Sequence, residues 1–232
     1  MIEYLSWDSD FFLKKIGKID MPTDFTMLSH DLKLAVNEHY DLLYGFSPHR
    51  IDLTECATLV NEAKLVDKKV MFNIDLGDKC FESNNLCDIT CNEVSADFEN
   101  LAYESGKFSR FYLDKNFKED DFRRLYFSWI KKSLSKQIAD RVFVIEENQR
   151  VVGMVTLKIA DTAQIGLIAV NADMQGRGYG KLLINECLSE AVKNNCSNLV
   201  VPTQLDNTQA CNFYQKCGFS IQSIVNVYHF WL

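Results

Sequence analysis

The feature that most constrains this chain is a glycine-rich segment at residues 174–183, MQGRGYGKLL. Gly176, Gly178 and Gly180 stand between an apolar, strand-like run and a helix-like run. Glycine allows positive φ and lets another group approach the backbone closely. The first turn of a helix presents free N–H groups and the positive end of a dipole, which suits phosphate. The segment therefore predicts a phosphate-bearing ligand, although tight packing of a strand–helix turn is the alternative.

The spacing of the glycines excludes two common phosphate sites. A dinucleotide site requires GxGxxG at the start of a βαβ unit, whereas these glycines run GxGxG. A nucleotide P-loop requires GxxxxGK followed by Ser or Thr, but Leu182 follows Gly180-Lys181. The ligand must therefore be identified from the rest of the chain.

The second half of the sequence predicts a mixed sheet with helices packed on it. Apolar residues at 122, 125, 126, 129 and 130 follow the period of an amphipathic helix. Two β-rich runs separated by a polar loop predict an antiparallel hairpin. Helices are expected at 122–130, 182–192 and 208–217, the last closed by Gly218, and strands at 141–145, 151–159, 164–170, 199–204 and within 219–232.

The first part, to about residue 90, predicts a smaller α/β unit. Strands are expected at 41–46 and 70–76, with a helix at 57–65 between them. The polar stretch 77–100 is expected to be a long loop or linker. We therefore predict an N-terminal domain at 1–92 and a second domain at 93–232.

Charge and composition narrow the function classes. The net charge is −7 and no basic run stands out, so no nucleic-acid surface is expected. We see no signal peptide, and no apolar stretch is long enough to cross a membrane. We expect a cytoplasmic protein whose eight cysteines are thiols. Cys80, Cys87 and Cys91 lack CxxC spacing and nearby histidines, so no metal site is expected.

Two motifs identify the phosphate ligand. Gln175–Gly180 reads QxxGxG after a strand and before a helix, and residues 207–219 read NxxAxxFYxKxGF. Together they resemble the acetyl-CoA loop and a later motif of the GCN5-related N-acetyltransferases, or GNAT family, over roughly residues 95–232. The resemblance implies an α/β (α+β) GNAT fold whose mixed central sheet is splayed at the acetyl-CoA site. Pro202 fits this because proline is tolerated at an unpaired strand edge.

The same resemblance implies roles for individual residues. Tyr214 would be the general acid toward the departing sulfur, and a backbone N–H near Ala169 or Val170 would hold the oxyanion. The loop amides would bind the pyrophosphate, and the preceding strand would pair with the pantetheine arm. The residues expected to bind the cosubstrate acetyl-CoA are Leu167, Ile168, Ala169, Val170, Gln175, Gly176, Arg177, Gly178, Tyr179, Gly180, Lys181, Asn207 and Tyr214.

Shorter matches concern the acceptor. WDSDFF at 7–12, SRFYLD at 109–114, YxxWI at 126–130 and TQxxN at 203–207 resemble bacterial dTDP-fucosamine acetyltransferase and related sugar-nucleotide N-acetyltransferases. An arginine among aromatic rings suits a nucleotide diphosphate and its base, although these aromatics could instead pack on the core. The residues expected to bind the sugar nucleotide are Arg110, Phe111, Tyr112, Tyr126, Trp129 and Gln204.

The general base and the substrate class stay open on the sequence. Asp67 lies in a segment resembling one that carries an acid in the fucosamine enzyme, but a solvated loop carboxylate and a water chain are alternatives. The leading hypothesis is N-acetylation of a nucleotide-linked, dTDP-type amino sugar. Another small amine or a protein N-terminus as acceptor, and a non-catalytic coenzyme A sensor, are the alternatives. A homodimer is left open.

Overall fold

The computed structural model describes residues 1–21 and 25–232. The chain forms two compact units, and each unit combines segments that are separated in the sequence. The first unit comprises Met1–Val70, Gln204–Asp206 and Ser223–Leu232, and the second comprises Met71–Thr203 and Asn207–Gln222. The boundary at residues 92 and 93 stays a prediction about domain organisation, and the compact units divide the chain elsewhere because its last strand returns to the first unit.

The first unit contains a small mixed sheet. Strand β2 (Ile16–Asp20) pairs antiparallel with the short β1 (Glu3–Tyr4) and parallel with β3 (Leu42–Ser47). Strand β3 then pairs antiparallel with residues 226–231 of β10 (Ser220–Trp231). Helices α1 (Ser6–Phe12) and α2 (Phe25–Asn37) complete this unit.

One apolar cluster forms the core of the first unit. Helix α2 contributes Leu28, Leu32 and Ala35, at the three- and four-residue spacing of a buried helix face. Successive side chains of a strand point to opposite faces of the sheet, so alternate residues can reach this cluster. The sheet residues in the cluster include Ile19, Leu43, Tyr228 and Phe230.

The second unit contains a run of five paired strands. They are β5 (Cys87–Asp88), β6 (Arg141–Glu147), β7 (Arg150–Lys158), β8 (Thr162–Val170) and β9 (Asn198–Gln204). Their order in the sheet is β9-β8-β7-β6-β5, and neighbouring strands are antiparallel, except that β8 and β9 are parallel. Parallel pairing requires a crossover, which a helix after β8 supplies.

Five helices belong to the second unit. They are α3 (Ala96–Ser105), α4 (Arg110–Leu113), α5 (Glu119–Leu134), α6 (Tyr179–Lys193) and α7 (Thr208–Lys216). Helix α6 buries Leu183, Cys187 and Ala191 along one face, which is the stripe expected from the sequence. The predicted mixed α/β architecture of this half is therefore confirmed.

Two local predictions in the first hundred residues were wrong. Residues 57–65 do not form a helix: a 3-10 turn at Thr54–Thr58 is followed by the long strand β4 (Glu62–Asp75). Ala63 and Leu65 pack against the core of the first unit, so a two-residue period governs this segment. The stretch 77–100 is also not a plain linker, because it contains β5 and the start of α3.

Candidate active site

A β-bulge shapes the middle of strand β8. Val155 pairs with Ile168 and Leu157 with Ile165, so Thr156 of β7 faces two residues of β8, Gly166 and Leu167. The buried Thr156 hydroxyl accepts a hydrogen bond from Leu167 N–H at 2.8 Å. A Cβ on Gly166 would lie 2.8 Å from that oxygen, so the position requires glycine. Bulges bend the strand that carries the extra residue.

Strands β8 and β9 separate next to this bulge. Their parallel pairing covers Thr162 to Gln164 on β8 and Asn198 to Val200 on β9, and no later residue of either strand is in register. Both strands nevertheless continue, β8 as far as Val170. Pro202 lies just beyond the last paired residue, where its missing N–H costs no ladder bond. The sequence-based expectation of a splayed sheet therefore matches this geometry.

The two edges of β8 can be assigned from its hydrogen bonds. Leu167 N–H bonds to Thr156 and Asn171 N–H bonds to Val152 O at 2.8 Å, both on β7. Backbone groups alternate between the two edges of a strand, so Ala169 also faces β7. Ile168 and Val170 then face the open edge. Of the two N–H groups proposed for the oxyanion, the geometry favours that of Val170 over that of Ala169.

The glycine loop presents five consecutive unengaged N–H groups. Within residues 1–21 and 25–232, the backbone N–H groups from Gly176 to Gly180 donate to no acceptor of the chain. Gly176 and Gly178 have φ of +79° and +86°, and a Cβ on either would point into open space. Lys181 N–H and Leu182 N–H turn back to Gly178 O at the start of α6. This is a cradle of donors at a helix N-terminus, which suits a pyrophosphate.

Glycine is required at the third position of the motif for a different reason. A Cβ on Gly180 would lie 3.1 Å from the Phe213 ring of α7. Gly180 therefore permits the close approach of helices α6 and α7. The tight-packing alternative applies to this glycine, whereas Gly176 and Gly178 border open space.

Basic side chains flank the loop. Arg177 is exposed, and its guanidinium lies 3.8 Å from the Glu147 carboxylate. Lys181 lies in the first turn of α6. Burial raises the pKa of the Cys217 thiol after α7, and the positive charge of Lys181 opposes that rise. Both cations favour an anionic ligand at the loop.

Helix α7 holds Tyr214 in an apolar environment. The ring is 4% exposed and contacts the rings of Phe72, Phe213 and Phe219 at centroid distances of 5.4–6.0 Å. Burial raises the pKa of its phenol above the ordinary value, and the thiols of Cys211, Cys217 and Cys187 add to the rise. Tyr214 therefore stays protonated at neutral pH and is able to donate.

Asn207 has a structural role that the sequence analysis did not predict. Its Oδ1 accepts a hydrogen bond from Ala210 N–H at 3.1 Å and caps helix α7. Asparagine is among the residues preferred at this position. The side-chain amide Nδ2 is the group through which the predicted contact with the cosubstrate would be made.

The predicted acceptor residues divide by their exposure. Phe111 and Tyr126 are buried and belong to an aromatic cluster with Trp129, which is half-buried. Tyr112 is 43% exposed, with the Lys115 ammonium 5.6 Å from its ring centre. The Arg110 guanidinium stacks over Phe111 at 4.7 Å. The surface available to a ligand is thus carried by the exposed Tyr112 and by the half-buried Arg110 and Trp129.

Two predicted residues belong to the first unit. Asp67 lies half-buried in strand β4, not in a loop, so the loop interpretation of this carboxylate was wrong. Gln204 is the last residue of β9 and is also half-buried. In the same unit, Lys68 O accepts from Leu205 N–H at 2.8 Å and the Lys68 ammonium pairs with Asp206 at 3.1 Å. These contacts fix the chain immediately after each of the two predicted residues.

Among the residues that the structure describes, no group of three or more His, Cys, Asp or Glu side chains is arranged to hold a metal ion. No helix within these residues has the length and apolarity needed to cross a bilayer.

Comparison with known proteins identifies the family. A family model described as "Acetyltransferase (GNAT) family" matches residues 102–219, which is 118 of the 232 residues. The chain therefore belongs to the GNAT acetyltransferase family, and its predicted GNAT fold is confirmed. The matched range contains the bulge, the splayed strands, the glycine loop and Tyr214.

Individual relatives are more distant. The chain is 30% identical over 138 residues to an uncharacterized N-acetyltransferase of Methanocaldococcus jannaschii, covering 56% of this chain and 58% of the relative. It is 24% identical over 132 residues to the spore coat polysaccharide biosynthesis protein SpsD of Bacillus subtilis, covering 56% of this chain and 45% of the relative. The chain thus spans about half the length of these curated relatives.

Among the solved structures similar to this chain is one that matches nearly its whole length. It is a functionally unknown conserved protein from Staphylococcus epidermidis, with a TM-score of 0.66 and 15% sequence identity. The match covers 99% of this chain and 90% of that protein. At this identity the likeness concerns the fold alone.

The bulge gives a first testable prediction. Thr156→Val keeps the side-chain shape but leaves the buried Leu167 N–H without its acceptor. We expect the free energy of unfolding to fall by about 1–3 kcal/mol. Thr162→Val on the exposed end of β8 is the matched control and should change it by less than about 0.5 kcal/mol. Urea unfolding of the three proteins measures this, and equal stability of Thr156→Val and the parent would contradict the assigned role of Thr156.

Proposed function

We propose that the chain is an acetyl-CoA-dependent N-acetyltransferase that acts on the amino group of a nucleotide-linked amino sugar, with dTDP as the expected nucleotide. One observation carries the acetyl-CoA assignment: the N–H groups from Gly176 to Gly180, which have no acceptor among the described residues, lie between the splayed strand β8 and the first turn of α6. Membership of the GNAT family supports the same cosubstrate.

Different groups of the chain would take separate roles in the acetyl transfer. Acetyl-CoA supplies an acetyl group on a thioester when it is bound. The N–H of Val170 would donate to the thioester oxygen as that atom gains charge. Tyr214 would donate toward the sulfur as the carbon–sulfur bond breaks, while the amine nitrogen forms the new bond to carbon. Asp67 or a water would accept the proton that the amine loses.

The local charge around α4 supports a nucleotide acceptor. Residues 107–118 include Lys107, Arg110, Lys115 and Lys118, and their one acidic residue, Asp114, is buried. Lys107 pairs with Glu104 and acidic residues follow at 119–121, so the positive charge centres on Arg110 and Lys115. Cationic side chains beside exposed aromatic rings suit a diphosphate joined to a base. The similarity to a spore coat polysaccharide biosynthesis protein also favours a sugar acceptor.

The proposal is tested by a substrate panel. The protein is incubated with acetyl-CoA and dTDP- or UDP-linked amino sugars, the free amino sugars, polyamines and N-terminal peptides, and thiol release is followed. We expect turnover with nucleotide-linked sugars. Equal turnover of free and linked sugar would rule out the acceptor class. Binding of acetyl-CoA without thiol release with any acceptor would favour the coenzyme A sensor.

A substitution at Arg110 tests the acceptor surface. If its guanidinium holds the diphosphate, Arg110→Ala should lower kcat/KM for the sugar nucleotide about 10- to 100-fold, the value of a charge-assisted hydrogen bond. The KM for acetyl-CoA should stay nearly unchanged. Arg123→Ala, which removes an exposed arginine paired with Glu119 on α5, is the matched control. An Arg110 variant with the parent's kinetics would exclude this residue from acceptor binding.

A further inference from the structure

A chain of two side-chain hydrogen bonds joins the glycine loop to helix α7. The Gln209 amide Nε2 donates to Gln175 Oε1 at 3.1 Å, and the Gln175 Nε2 donates to Val170 O at 3.1 Å. A glutamine amide has one acceptor oxygen and one donor nitrogen. Because the Gln175 Oε1 accepts the hydrogen bond from Gln209, the Gln175 Nε2 is directed to the Val170 carbonyl at the end of β8. The two residues therefore act together, and we call them the glutamine bridge.

The bridge connects the segments that follow the two parted strands. Gln175 lies in the loop after β8, and Gln209 lies in the first turn of the helix after β9. Pairing between these strands ends at Gln164 and Val200, so no ladder bond fixes the distance between their far ends. The contact of Gly180 with Phe213 lies further along α6 and α7 and does not involve the strand end.

We propose that the glutamine bridge is a positioning device that sets the opening between the ends of β8 and β9, and with it the affinity for acetyl-CoA. This inference rests on the proposed function. The bridge also occupies the Val170 carbonyl, which leaves the Val170 N–H as the group of that residue offered at the open edge. Without the bridge, the ligand itself must order the loop and the helix when it binds, and the lost conformational entropy lowers its affinity.

The size of the expected effect follows from the exposure of the bridge. Both glutamines are exposed, and an amide hydrogen bond in contact with water contributes little to stability. Gln209→Met removes the donor while keeping the length of the side chain and its lack of charge. We expect this variant to raise the Kd and the KM for acetyl-CoA about 3- to 10-fold, with kcat changed by less than about twofold.

Three comparisons isolate the bridge. Gln215→Met on the same helix, where the exposed side chain makes no hydrogen bond within the described residues, should match the parent. The Gln175→Met variant should resemble Gln209→Met. The double variant should be no worse than either single variant, because all three lack the same connection. Effects that multiply in the double variant would overturn the inference.

The measurement is calorimetric titration of acetyl-CoA into each full-length variant, followed by thiol-release kinetics. An unchanged Kd for Gln209→Met would overturn the bridge's role, and so would a loss of thermal stability without any change in Kd. Failure of the parent protein to bind acetyl-CoA would instead overturn the proposed function, so the two failures are distinguishable.

Discussion

Gly178→Val is expected to abolish measurable binding of acetyl-CoA, a loss of at least about 100-fold. A side chain at φ of +86° carries a strain of roughly 1–2 kcal/mol. Its Cβ would also point into the open space beside the five donor N–H groups and displace a phosphate there. The strain lowers the stability of the folded protein, whereas the displaced phosphate weakens binding, and losing one charge-assisted hydrogen bond alone accounts for about 1.5–3 kcal/mol of that loss. Calorimetric titration of the variant with acetyl-CoA measures the change in affinity.

The control for this variant must carry the same strain outside the site. Gly77 has φ of +42° in the turn after β4, and a Cβ there would meet one carboxylate oxygen of Asp75 at 3.7 Å. Gly77→Val should therefore lose stability but keep the parent's affinity. If Gly178→Val binds acetyl-CoA as well as Gly77→Val does, the glycine loop is not the pyrophosphate site.

Tyr214→Phe is expected to lower kcat by about 10²–10⁴, the usual contribution of a general acid. The phenylalanine ring preserves the packing against Phe72 and Phe219, so acetyl-CoA affinity should be retained. The readout is kcat under saturating acetyl-CoA and acceptor. Tyr103→Phe, which removes a hydroxyl bonded to Glu99 on α3, is the control and should keep the parent's kcat.

The raised pKa of Tyr214 adds a constraint on the pH profile. A phenol with an ordinary pKa near 10 is already a weaker acid than a thiol near 8.5, and burial widens that difference. Tyr214 therefore acts more as a hydrogen-bond donor to the sulfur than by full proton transfer. Because the phenol stays protonated, no fall in kcat below about pH 10 should come from its ionisation. An unchanged kcat for Tyr214→Phe across several pH values would assign this tyrosine to the core.

Much of the second unit could be predicted from the sequence, because its elements carry strong local signals. The stripe from Phe122 to Ile130 and the turn between β6 and β7 each match one structural period. The glycine loop was predictable because the positive φ of Gly176 and Gly178 favours glycine, which leaves a recognisable spacing in the sequence. Family membership depends on the same segments, which is why the motif and the fold agree.

Other features depend on contacts between distant residues and carry no local signal. The 57–65 segment has helix-forming residues, but packing of Ala63 and Leu65 on the core of the first unit makes its second half a strand. The bulge needs Thr156 and Gly166 from different strands. Gln209 is a variable position of the motif, and nothing in the sequence pairs it with Gln175. The cap formed by Asn207 was missed for another reason, because the motif had already assigned that residue to the ligand.

The return of the last strand to the first unit has a genetic consequence. Val227, Tyr228 and Phe230 are fully buried, and they lie in β10, which follows helix α7 in the chain. A gene fragment that stops at residue 222 would encode every helix of the second unit, yet it would leave the first unit without part of its core. A nonsense or frameshift mutation between codons 223 and 227 is therefore expected to destabilise the first unit, although it leaves every helix of the second unit encoded.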